Sequence, residues 1–282
     1  MGKDSKSNTN RANQEMLPLW LKYPQIPDGS IGWRMGEGEA YALKHSSWYS
    51  HLTQEEKEHY QAKFPEPVCW SLSEENIKRH GSFWIYNWQQ PNVIRYSADM
   101  LIKERNAGRE RDIVYFWGHR EKQGKLGKEI FSQWYKAEFC ENQFTYCCME
   151  QYMMAKKAKL FGDNEIEQKI MSTTEQGEIK SLGRKVKNFD ENIWNAFKSL
   201  IVMTGNYYKF LQLSKLRKVL LSTKDAILVE ASPYDQIWGI GMSETEAANS
   251  DISMWRGSNL LGFALMTVRD EIARIYGGLN NL

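Results

Sequence analysis

Met149–Phe161, MEQYMMAKKAKLF, puts a carboxylate and an amine on a helical face that its other residues make apolar. At the helical step of about 100° per residue, Glu150, Met154, Lys157 and Phe161 share one stripe. Lys156 and Lys159 turn the other way and are expected in solvent. A half-buried acid with a lysine two turns away costs stability unless paired, which marks the two as a candidate site. The spacing leaves a second reading open: Lys157 snorkels past Met154 to water, and Glu150 is a first-turn acid favoured by the helix dipole.

Working outward, helices are expected from about Asn164 to Met171, from Glu175 to Val186, from the N-cap Asp190 past Trp194 toward Met203, and from Ser214 to Leu221. The run AILVE at 226–230 reads as a strand, the loop SPYDQIWGIG follows, and a long helix closes the chain near Asn259–Ile275. Before the central helix lie a strand-like run, Asp112–Gly118, and a short strand at Phe144–Tyr146. Few strands among many helices indicate a mainly helical α+β domain over 111–282, not a doubly wound sheet. Residues 16–110 read as an irregular, aromatic-rich extension packed on that domain, including FWIYNW between Phe83 and Trp88. Short helices are signalled there by the capping box Thr53 to Glu56, near Ser73, and from the cap Ser97 to a stop at Gly108. Residues 1–15 read as a disordered polar tail.

Aromatic residues are abundant: 11 Trp, 14 Tyr and 11 Phe, 13% of 282 residues, so some are expected to line a groove or binding surface. With 37 basic against 35 acidic residues the net charge is +2, which gives no global attraction to nucleic acid. Cys69, Cys140, Cys147 and Cys148 show no paired spacing, and no apolar signal segment opens the chain, so four reduced thiols in a cytoplasmic protein are expected. The histidines at 45, 51, 59, 80 and 119 form no ligand spacing, so neither a metal nor another cofactor is expected. Lys6 stands where an acylation signal wants Ser or Thr, and no run approaches a membrane span of about 20 apolar residues.

Two further constellations carry chemistry. In SPYDQIWGIG, Asp235 and Trp238 put an acid beside an indole face, which suits a nucleoside or sugar; as a plain turn, the same loop is punctuation by Pro233, Gly239 and Gly241. In LGRKVKNFD and GNYYKF, Arg184, Lys185 and Lys209 are candidates for gripping a phosphate, or are solvated basic residues at helix ends. The segments FWGH and FSQWY, with Phe116, Trp117, Ser132 and Trp134, read as core or as a base-stacking wall.

Taken in order, the motifs resemble the NADAR family, also called YbiA-like. The resemblance rests on FWG at 116–118, FSQWY at 131–135, EQYMMAKKAKLFGD at 150–163, LGR at 182–184, FD…W at 189–194 and GNYYKF at 205–210. LVEASPYDQIWGIG at 228–241 and W-x-G-x-N-x-L-G at 255–262, followed by LM-x-VR, complete it. The chain departs from the family pattern at Gln151, where His is common, and in FSQWY, where F-S-N-F-Y is commoner.

The resemblance implies an N-glycosidase that breaks a bond between a ribose anomeric carbon and nitrogen. One branch of the family acts on phosphoribosylated pyrimidine intermediates of riboflavin synthesis. Another removes ADP-ribose from guanine in nucleic acid and can serve as antitoxin to an ADP-ribosyltransferase. The larger ligand is favoured here, because the aromatic extension could lengthen a pocket. Carried onto this sequence, Glu150 stabilises charge at the anomeric carbon, Lys157 attacks it, and Asp235 orients the ribose or shuttles a proton. Trp194 and Trp238 flank the base or sugar, and Arg184 and Lys209 hold the 5′-phosphate. Trp117, Gly118, Ser132, Trp134, Asn206 and Gly239 complete the substrate-binding set. Expected partners are ADP-ribose or ribose-5-phosphate N-glycosides, ADP-ribosylated DNA or RNA, and a cognate transferase toxin, with no membrane. The competing class is a non-catalytic ADP-ribose-binding module that keeps the fold without turnover.

Overall fold

The computed structural model describes residues 15–23, 31–64, 94–120, 126–141 and 144–276. The tail before Glu15, Cys69, His80, FWIYNW and the helix expected near Ser73 lie outside them.

The spine is a 22-residue helix, α8 (Glu191–Gln212), which starts where Asp190 caps it by accepting from the Ile193 N–H at 2.9 Å. Its length exceeds the expectation that it ends near Met203. Gly205 does not break it, because a Cβ there would lie 2.6 Å from Met149 and Tyr152. The missing side chain is what lets α5 (Met149–Leu160) pack directly on α8. After the short helix α10 (Glu244–Ala248), α11 (Leu260–Tyr276) also packs on α8. Two shorter helices, α6 (Asn164–Met171) and α7 (Gln176–Arg184), flank α5, and α9 (Ser214–Ser222) leads to strand β4 (Ile227–Glu230). Their placement follows the expectations closely, although of these helices only α6 has a side-chain N-cap, Asp163.

Strand β4 pairs in parallel with β1 (Ile113–Phe116), in register from Ile113↔Ile227 to Phe116↔Glu230, and lies against α11. Parallel pairing sends both chain continuations, Trp117-Gly118 and Ala231-Ser232-Pro233, out at one edge. The Ala231 N–H donates to the Phe116 carbonyl there at 2.9 Å. A hairpin of β2 (Phe139–Glu141) and β3 (Phe144–Tyr146) precedes α5. β2 escapes sequence reading because Glu141 faces inward, where it accepts from the Tyr152 hydroxyl at 2.9 Å and pairs with Lys156. Lys156 is therefore not the solvated residue that helical phase suggests; its side chain is 11% exposed.

The helix after Ser97, α4 (Ala98–Asn106), packs against this core. Leu101 is buried in it, Arg95 N–H donates to Thr267 Oγ1 at 3.2 Å, and Tyr96 donates to Asp270 Oδ2 at 2.5 Å. Gly108 ends that segment at φ 84°.

Farther N-terminal are α1 (Leu19–Lys22), α2 (Gly36–Ser50) and α3 (Gln54–Lys63). α2 was hidden by Gly36 and Gly38 and by Met35 at its cap, which offers no side-chain acceptor. Thr53 and Glu56 form the expected capping box, with bonds of 2.7 and 3.2 Å. Trp48, Tyr49, Tyr60 and Phe64 pack on one another with ring centroids 4.8–6.4 Å apart, so these aromatics fill their own small core. Among the described residues no helix is long and apolar enough to cross a membrane.

Candidate active site

Three carboxylates meet at the edge where β1 and β4 end. Glu150 enters from the first turn of α5, 4% exposed. Cys148 gives that turn no side-chain cap; instead the Glu150 N–H donates to the Gln133 carbonyl at 2.9 Å. This bond ties α5 to the turn at 132–135, where Ser132 Oγ accepts from the Trp134 N–H at 3.2 Å and Gln176 donates to the Trp134 carbonyl at 2.6 Å. So held, Trp134 donates a side-chain hydrogen bond to Glu150. Burial pushes the Glu150 carboxyl up to about 7, and Asp235 pushes in the same direction; Lys180, the Trp134 bond and Arg184 pull against them.

Glu230, the last residue of β4, was read only as part of a strand and is the main residue missed. Burial, then Asp235 and Glu150, raise its carboxyl to about 8, with Lys180 opposing. Its Oε2 is shielded from solvent and has no hydrogen-bond partner among the described residues. The backbone of Glu230 is locked on both sides: its N–H donates to Asn259 Oδ1 and its carbonyl accepts from Ile240 N–H, each at 3.0 Å. Asn259, fully buried at φ 50°, also donates to the Leu228 carbonyl at 2.9 Å.

Asp235 supplies the third carboxylate. Its Oδ1 accepts from the N–H groups of Ile237 and Trp238, both at 2.8 Å, which closes the SPYDQIWGIG loop on itself. Gly239 is required for close approach: a Cβ would sit 2.8 Å from the Glu230 carbonyl and 2.9 Å from that of Asp235. Trp238 packs partly against the core, while Trp117 and Tyr234 are 58% and 86% exposed with rings 6.2 Å apart. Gly118, at φ 81°, lets the chain turn after Trp117.

Lys157 occupies a neighbouring aromatic slot rather than pairing with Glu150. Its amine donates to the Gly183 carbonyl at 2.9 Å and lies 4.2 Å from the Phe189 ring centroid and 5.5 Å from that of Trp194. Partial burial lowers its pKa, the direction a nucleophilic amine needs. Lys180, 5.5 Å over Trp134, and the exposed Arg184 put positive charge beside the carboxylates.

The profile of the NADAR domain family matches residues 115–273, more than half of the chain. The chain belongs to the NADAR family. Among its relatives, N-glycosidase R617 of Acanthamoeba polyphaga mimivirus is 46% identical over 162 residues, covering 56% of this chain and 95% of the relative. N-glycosidase Npun_R5314 of Nostoc punctiforme is 34% identical over 134 residues, 47% of this chain and 79% of that one. The chloroplastic riboflavin biosynthesis protein PYRR of Zea mays is 34% identical over 137 residues, 46% of this chain but 20% of that protein.

Several motif residues of this NADAR domain lie within the packing and not at the cleft. Lys209 is 0% exposed, donates to the Ile130 carbonyl at 2.6 Å, and is lowered by burial to about 7. It braces the segment leading to Trp134 and presents no surface on which to grip a phosphate. Asn206 is equally buried and bonds the Val202 carbonyl one turn back in α8. Gly183 admits Met154 of α5, whose Sδ would lie 2.0 Å from a Cβ. Gln151 cross-links the core, accepting from Cys147 N–H at 2.7 Å and donating to the carbonyls of Ile170 and Thr173 at 3.0 and 2.9 Å. That full set of bonds gives physical grounds for Gln at a position where His is common.

Proposed function

We propose that this chain is an N-glycosidase hydrolysing the bond between ribose C1 and a base nitrogen, with ADP-ribose on guanine in nucleic acid as its substrate. The observation that carries the reading is the meeting of Glu150, Glu230 and Asp235 beside Trp134, with Lys180 and Arg184 adding positive charge. Breaking a ribose C1–N bond develops positive charge at C1, and an ionised, water-shielded carboxylate stabilises it more than water does. Glu150 takes that role, and Asp235 orients the ribose hydroxyls. Lys157 attacks C1; after ring opening the resulting imine is hydrolysed by water, releasing the sugar. Arg184 and Lys180 face the phosphates, replacing Lys209 in that part. The names of the mimivirus and Nostoc relatives support the bond type.

The exposed pair Trp117 and Tyr234 supports a ligand with a second base, since aromatic faces beside a sugar site stack nucleobases. Replacing both by Ala should raise KM for an ADP-ribosylated guanosine oligonucleotide by roughly 10- to 100-fold, at about 1–3 kcal/mol per stacked base. KM for a ribose-5-phosphate N-glycoside should move less than threefold, as steady-state kinetics on both substrates will show.

The maize relative supports a second reading, a phosphoribosylated riboflavin-pathway intermediate. Incubating the protein with each substrate and measuring released base separates the two. Inactivity on both, with tight ADP-ribose binding, would favour a non-catalytic module, although such a module has no chemical use for buried carboxyls held near neutrality. Release of ADP-ribose would also make a nucleic-acid ADP-ribosyltransferase the natural counterpart, and co-expression with such a toxin tests whether the chain rescues growth.

A further inference from the structure

Among the described residues, Glu230 is the one of the three site carboxylates with an oxygen, Oε2, that is shielded from water and has no hydrogen-bond partner. Trp134 bonds Glu150, and Asp235 Oδ1 accepts from two backbone N–H groups. A shielded oxygen without a donor is costly as a carboxylate and cheaper as a protonated carboxyl. Its position is not adventitious: Asn259 and Ile240 fix the Glu230 backbone, and a Cβ at Gly239 would sit 2.8 Å from the Glu230 carbonyl, so only glycine fits there. The charged groups that act on it are Asp235 from the following loop, Glu150 from α5 and Lys180 from α7. The partner strand contributes Phe116, which is apolar.

We propose that Glu230 is the general acid of the site, donating its proton to the base nitrogen as the ribose C1–N bond breaks. The inference rests on the N-glycosidase reading above. When the bond breaks, its electron pair goes to the nitrogen, which takes the proton of Glu230. C1 is captured by the Lys157 amine, and the water that later releases the sugar returns a proton to the Glu230 carboxylate. Nothing is oxidised or reduced. The pair then divides the labour, Glu150 working ionised and Glu230 working neutral. Burial and mutual repulsion hold both carboxyls near neutrality, at about 7 and about 8, where such a division operates.

The test is Glu230→Gln in the full chain, with Glu230→Asp as the conservative variant. Gln should lower kcat about a hundredfold with KM little changed. Wild-type kcat should fall as pH rises through about 8, Gln should abolish that fall, and Asp should restore part of both. Gln folds without a buried charge, so its melting temperature should equal or exceed that of wild type. A Glu230→Gln enzyme within threefold of wild-type kcat and keeping the alkaline fall overturns the proposal. Infrared difference spectra read the proton independently of turnover: subtracting the Glu230→Gln spectrum from that of wild type at pH 7 should leave a protonated carboxyl band, beyond any that Glu150 contributes to both. An ionised Glu230 at pH 7 overturns the inference even in an active enzyme, whereas a wild type that releases no base refutes the N-glycosidase reading itself.

Discussion

Glu150→Gln should reduce turnover of a ribosyl N-glycoside about a thousandfold while leaving KM within a few-fold, because it removes a charge that acts mainly in the transition state. Gln keeps an acceptor for the Trp134 indole, so the loss reports charge and not packing. The same substitution should change stability in a pH-dependent way. The folded-state value of Glu150, about 7, lies above the ordinary 4.5, so the folded protein holds this proton more tightly than the unfolded chain. Stability tied to the proton is complete below about 4.5 and is lost as pH rises through about 7. Gln escapes that loss. Its melting temperature should match wild type near pH 4 and exceed it at pH 9, by the equivalent of up to about 3 kcal/mol. Thermal melts across that range check the sign; a variant destabilised at pH 9 would mean that Glu150 is held by its cations and not strained by burial.

Gly262→Ala should have the largest effect on the fold. A Cβ at 262 would lie 2.1 Å from the Leu228 carbonyl oxygen and 2.6 Å from both polar atoms of the Asn259 amide. Backbone cannot yield as a flexible side chain can, and the displaced groups are those that hold β4 and Glu230 in place. A loss of at least ~3 kcal/mol is expected, with activity falling in parallel wherever the protein still folds. Urea denaturation measures it. Gly183→Ala makes the contrast: its obstacles are side-chain atoms of Met154 alone, from Sδ at 2.0 Å to Cβ at 3.2 Å, and no backbone, so it should cost less although its nominal clash is as short.

These two positions also show how much was legible in advance. Asp190 and Ser97 announce helix starts because a short acceptor at an N-cap acts locally, and both accept from a backbone N–H three residues on. Gly205 does not announce its role, since a glycine that permits helix contact looks in sequence like one that breaks a helix. Lys156 and Lys209 mislead for a related reason: phase or motif places them, but only the tertiary partners, Glu141 and the Ile130 carbonyl, show that they are internal. At the site, Glu150 and Asp235 were readable from the motifs. Glu230 was in plain view at the end of an apolar strand, yet its meaning depends on Asn259, 29 residues later. Lys180 and Phe189 likewise gain their roles only from what the helices bring near them.

The most direct measurement is a crystal structure of the Glu150→Gln variant soaked with ADP-ribosylated guanosine. Ribose C1 is expected in contact with the residue 150 side chain, the base nitrogen within hydrogen-bonding reach of Glu230, the Asp235 carboxylate on the ribose hydroxyls, and a base stacked on Trp117 or Tyr234. A ligand seated elsewhere, for instance among Trp48, His59 and Tyr60 of the N-terminal helices, would contradict it.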